Sequence, residues 1–164
     1  MVSAEVKRMS ARELFEAARD ASRDAEYLKR RIERMELGEG LRAASLEPSS
    51  RSPVDDVNGT SRVNARMDFE AAVSSRVEDD YAVIDYACAV LYGADGRGGI
   101  AALLCPEAAD LLWHHYLDCE SMGVAADSVG IPRRSAFRMR DRAFDLADML
   151  GFESCAAGEG AAEA

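Results

Sequence analysis

Residues 121–144 read SMGVAADSVGIPRRSAFRMRDRAF, and this stretch decides the architecture of the chain. Met122, Ala125 and Val129 recur at i, i+3 and i+7, one face of a short helix. Gly130 stands where that helix should stop, and Pro132 follows two residues later. A new period then begins, with Ala136, Met139 and Ala143 on its inner face. Two short amphipathic helices joined through a glycine turn predict a helix-turn-helix, in which the second helix lies in a DNA major groove.

Charge points the same way. The chain carries 20 Lys and Arg against 30 Asp and Glu, a formal net charge of −10. Between Arg133 and Arg142 stand five arginines (133, 134, 138, 140 and 142) and one acid, Asp141. That segment is therefore +4, and the remainder sums to −14. An acidic chain with one basic helix is not a general polyanion binder; its affinity for phosphate must be local. Arg133 and Arg134 occupy a first helical turn, where the helix dipole disfavours positive charge. Arg134, Arg138 and Arg142 repeat at i, i+4, so they repel along one face. Such placements destabilise the helix in isolation and suit one that meets an anion.

At ~100° per residue, Arg134, Arg138 and Asp141 point away from the Ala136, Met139, Ala143 face. Phe137 and Arg142 flank that outer face, while Arg140 lies near the core edge with its stem along apolar surface. The outer group suits duplex DNA, with arginines to phosphate or guanine edges and Phe137 against a thymine methyl or sugar. The plainer alternative is a solvated face with intrahelical pairs such as Arg138–Asp141 and Arg142–Asp145.

The length of 164 residues accommodates one domain or two small modules. Hydrophobic residues make up 48% of the chain, many of them alanines, and no regular series of β-branched runs appears, so the expected class is all-α. No apolar run is long enough to span a bilayer, and MVSAEVKRMSARELF lacks the apolar core of a signal peptide; a cytoplasmic location is expected. Cys88, Cys105, Cys119 and Cys155 form no CxxC and read as reduced thiols. His114, His115, Cys105 and Cys119 have irregular spacing for zinc and read as ordinary helix residues. With no triad, metal cluster or cofactor loop legible, neither enzymatic activity nor a cofactor is expected.

Ser10-Ala-Arg-Glu13 is a capping box at the start of a helix. Downstream, Leu14, Ala18, Ala21, Ala25, Leu28, Ile32 and Met35 alternate steps of four and three, a heptad seam that predicts coiled-coil packing. Gly38 and Gly40 should end it. Residues 38–66 are rich in Ser, Pro, Gly and Asn, carry the turn signal Asn58-Gly59, and read as a disordered connector. A second long helix is expected over 67–92, with Phe69, Val73, Val77, Tyr81, Ile84, Cys88 and Leu91 as its apolar stripe. Helix, connector and helix over 10–92 predict a hairpin, closed within one chain or exchanged across a homo-oligomer. Residues 93–99 (GADGRGG) read as a glycine hinge leading to a reader over 100–151. Pro106 suits a first helical position, with Ala109, Leu112, Trp113, Tyr116 and Leu117 as an apolar face. The tail 152–164 has nothing evident to bury and should be disordered.

From Pro106 to Leu150 the chain resembles region 4 of bacterial sigma factors. ADLLWHHYLD looks like that domain's first helix, and SMGVAADSVGIPRRSAFRMRDRAFDL like its helix-turn-helix. The longer layout is similar to small phage-encoded transcriptional regulators of the RinA/ArpU late-gene activator type, which place a long helix, a polar loop and a second helix before a sigma-like reader. The chain departs from that pattern at Gly123 and Val124, where acidic helix formers are usual, and at Ser135, where another base often stands. The resemblance implies double-stranded DNA as ligand, with Arg133, Arg134, Ser135, Phe137, Arg138 and Arg142 at the DNA-facing positions. It also implies a hairpin for self-association or contact with RNA polymerase. Two other roles share these residues: a phage packaging protein marking DNA for a terminase, and an arginine helix docking on an acidic protein surface.

Overall fold

The Ser10–Glu13 capping box forms as its spacing predicts. The Ser10 amide donates to the Glu13 carboxylate at 2.8 Å, and the Glu13 amide donates back to Ser10 Oγ at 3.4 Å. These bonds, led by the Ser10 amide, hold the Glu13 carboxyl below its usual pKa. They open helix α1 (Ala11–Ala43) of the computed structural model, which describes residues 9–43 and 60–157. Then follow α2 (Thr60–Tyr92), α3 (Gly99–Leu103), α4 (Pro106–Leu112), a π-helical turn (Trp113–Leu117), α5 (Met122–Val129), α6 (Arg133–Leu150) and α7 (Phe152–Ala157). The described residues contain helices and turns and no strand, so the fold is all-α. No described helix is long and apolar enough to cross a membrane.

Two expected boundaries move. The first helix runs through Gly38 and Gly40 to Ala43, and the second starts at Thr60 rather than Met67. A lone helical glycine costs about 1 kcal/mol against alanine, which weakens a helix without stopping it. The expected connector 38–66 is therefore helical at both ends, and the Asn58-Gly59 signal lies outside the described residues.

The chain divides into two compact units, residues 24–79 and residues 1–23 with 80–164. In the first, Leu28 is buried, and Ala25, Ile32 and Met35 are half-buried with Val63, Phe69, Val73 and Val77. The strands of charge around this seam show an antiparallel pairing within one chain: Arg76 meets Asp24 at 2.6 Å, and Arg66 meets Glu36 at 3.2 Å. The Arg31 guanidinium lies 4.7 Å over the Phe69 ring.

The second unit holds the main core. Leu14, Phe15 and Ala18 are buried with Ala87, Val90, Leu91, Ile100, Leu112, Tyr116 and Phe144. Phe15 stacks on Phe144 at 5.6 Å between centroids and meets Tyr116 at 5.6 Å. Trp113, on the expected apolar face, packs against this core and lies 5.9 Å from Tyr92 between ring centroids. The expected stripe of the second long helix drifts here. Tyr81 is 52% exposed, and Ala87 and Val90 are buried beside Leu91.

The glycine segment forms a hydrogen-bonded turn, and the compact units do not divide there. Gly99 has φ +67°, and a Cβ on it would sit 2.5 Å from the Leu91 carbonyl, so only glycine fits this close approach. The Gly98 amide donates to Tyr92 O at 2.9 Å, and the Ala94 amide donates to Ala156 O at 3.1 Å, closing the segment as a turn. The expectation of a disordered tail also fails at its start. Phe152 and Cys155 are buried on α7, and Phe152 meets Tyr86 edge-on at 6.1 Å. Two apolar side chains four positions apart suffice once a core is there to receive them; residues 158–164 lie outside the described residues.

Candidate nucleic-acid interface

Ser121 caps α5: its hydroxyl accepts from the Val124 amide at 3.3 Å. At the other end Gly130 adopts φ 77°, ψ 27°. The Ile131 amide reaches Ala126 O at 2.9 Å and the Gly130 amide reaches Asp127 O at 3.2 Å, the paired bonds of a Schellman stop. Ile131 then packs against the cluster that holds Met122, Ala125, Ala126, Leu111 and Ala136. This glycine turn sets the direction in which Pro132 launches the next helix.

The last long helix runs from Arg133 to Leu150. Ala136, Ala143 and Ala147 are fully buried and Phe144 nearly so, while Met139 is half-buried between the two apolar clusters. Every expected contact residue lies on the remaining face. Arg133, Arg134, Ser135, Arg138 and Arg142 are exposed, and Phe137 is 37% exposed. Helical geometry sets Arg134, Arg138 and Arg142 in one row of about 12 Å, with Ser135 at one edge and Phe137 at the other. Arg133, at the first position, lies beyond the Phe137 edge.

The acid inside this basic segment is occupied. Asp141 accepts from Arg140 Nη2 at 2.6 Å and from Arg140 Nε at 2.9 Å. The Arg140 stem is buried as expected, with 16% of its side chain exposed, and its guanidinium lies 5.2 Å from the Phe137 ring centroid. Among the described residues, no ion pair engages Arg133, Arg134, Arg138 or Arg142. The alternative pairs Arg138–Asp141 and Arg142–Asp145 therefore do not form. Pro132 precedes the helix without a side-chain cap, so the first-turn amides and two arginines share the positive end of the helix dipole.

The adjacent histidines are engaged within their own segment. His115 Nδ1 donates to Glu120 O at 2.8 Å, and its ring sits edge-on to Tyr116 at 4.6 Å. Burial, reinforced by Arg19 and Arg140, lowers its pKa. His114 pairs with Asp118 at 2.9 Å.

One arginine escapes sequence reading. Arg12, in the first turn of α1, comes to 3.6 Å from Asp141 and lies 5.8 Å from the Phe144 ring centroid. No local signal marks it, because its partners stand about 130 positions away. Its neighbour Ala11 donates its amide to Asp148 Oδ1 at 2.6 Å, so α6 also caps α1. Comparison finds no matching family model, no matching curated protein and no matching solved structure.

Proposed function

We propose that this chain binds double-stranded DNA as a transcriptional regulator of the phage-encoded late-gene type, with α6 as the major-groove helix. The observation that carries the reading is the exposed row of unpaired arginines on that helix, in a chain whose remainder is −14. Four guanidiniums without an ion-pair partner among the described residues supply the charge-assisted bonds that phosphates and guanine edges accept. The buried Ala136, Ala143 and Ala147 on the opposite side fix which face is offered. Ser135 and Phe137 border the row and suit base-edge and thymine-methyl contacts. Asp145 and Asp148 follow towards the helix C-terminus, which favours engagement through the N-terminal half, as in other groove-reading helices. Contact of the helical hairpin with RNA polymerase or a second copy belongs to the same reading.

Selection of binding sites from random duplexes tests it. An enriched motif, protected at base edges in the major groove, is the expected outcome, and a promoter-dependent transcription assay on that motif should respond to the protein. Absence of duplex binding at low salt, with binding to an acidic protein surface instead, overturns the reading.

A further inference from the structure

Arg12 is held beside α6 by contacts that leave its charge available. Its side chain is 54% exposed, its guanidinium lies 3.6 Å from Asp141, and Phe144 lies beneath it at 5.8 Å. Asp141 is already neutralised at 2.6 Å by Arg140, so one carboxylate stands between two guanidiniums and a full positive charge is left over. The backbone of this corner is anchored, since the Ala11 amide is bonded to Asp148 and Phe15 stacks on Phe144. Around the α6 axis, Asp141 lies about 140° from Ala136, the residue facing α5. Arg12 therefore flanks α6 on the side away from α5. A helix with side chains is 10–12 Å across and the major groove is about 12 Å wide, so a helix seated there brings side chains on its flanks to the strand backbones.

We propose that Arg12 is a phosphate-contacting residue of the same DNA interface, positioned by Asp141 and addressing the strand on the flank of α6 away from α5. The inference rests on the DNA-binding reading and adds to it a contact from the opposite end of the sequence. Because a phosphate carries no base identity, Arg12 contributes affinity and register while α6 contributes selectivity.

The test compares full-length wild type, Arg12→Gln, Arg12→Lys and Arg138→Ala on the selected duplex and on a scrambled one, across salt concentrations. Arg12→Gln should bind both duplexes about eightfold more weakly at 0.1 M salt, with a log–log salt slope shallower by about 0.9, the counterion release of one phosphate. Arg12→Lys should restore the slope, which a purely structural role would not require. Should Arg12→Gln fail to fold, Arg12→Met, which keeps an apolar stem over Phe144, gives the second reading: it should show the same shallower slope on both duplexes. An unchanged slope in Arg12→Gln or in Arg12→Met, on a duplex that Arg138→Ala binds weakly, overturns the role of Arg12 and leaves the DNA-binding reading standing. A loss confined to the selected duplex also overturns it. Failure of wild type to bind any duplex removes the DNA-binding reading, and the inference with it.

Discussion

The Ala11 amide donates a 2.6 Å hydrogen bond to Asp148, so the first residue of α1 is tied to the last turns of α6. Ser10 and Glu13 satisfy two other end donors of the same helix. The start of the chain's first helix is thus completed by a carboxylate from the helix that presents the arginines.

Replacing Asp148 by alanine leaves the Ala11 amide without its acceptor. Loss of a helix-capping oxygen destabilises by about 1 kcal/mol, and we expect that decrease in urea unfolding of Asp148→Ala. An unchanged midpoint would mean that water replaces the carboxylate without loss.

Phe152 tests the fold of the segment after Gly151. Its side chain is 7% exposed and meets Tyr86, so Phe152→Ala should destabilise by about 3 kcal/mol through lost burial and the cavity left behind. A variant as stable as wild type would return this segment to the unstructured tail that composition suggests.

His115 makes stability depend on pH. Burial lowers its pKa below the ordinary 6.5, so the unfolded chain takes up this proton before the folded one does. Its stabilising effect is complete above about pH 6.5 and is lost as pH falls from there through the lowered folded value. Glu13, also lowered, adds its loss only below the ordinary carboxyl value of 4.5. Chemical unfolding followed between pH 7 and 5 should show decreasing stability in wild type and a flatter profile in His115→Gln.

Arg138 stands in the middle of the exposed row and has no ion pair among the described residues. Arg138→Ala should weaken binding to the selected duplex by roughly 1–3 kcal/mol while circular dichroism stays unchanged. Four such arginines predict a log–log salt slope of about −4 per chain, and Arg12 as a fifth contact brings wild type to about −4.5. Equal affinity at matched salt would remove Arg138 from the interface.

Local chemistry made much of this legible. The i, i+3, i+7 recurrence around Gly130, the capping box at Ser10 and the seam from Leu14 to Met35 depend on neighbours within a few positions. Backbone geometry alone converts those spacings into faces. The same holds for α6: once it is a helix, Ala136, Ala143 and Ala147 lie on one side and Arg134, Arg138 and Arg142 on another. Composition misled where burial was supplied from elsewhere. The run of glycines at 93–99 reads as a hinge until Leu91 is seen to occupy the space of the missing Gly99 side chain. The segment from Phe152 reads as tail until Tyr86 is beside it.

What the sequence by itself determined is the helical class, the arginine face and the Gly130 turn, because each is written in contacts of short range. The tertiary structure alone decided that Phe15 stacks on Phe144, that Asp148 caps α1 and that Arg12 stands beside Asp141. Those pairs join residues more than 120 positions apart, and no local period records which distant surface a helix will meet. That choice belongs to the packing of the whole core, where aromatic shape and buried area select one arrangement among many with the same pattern.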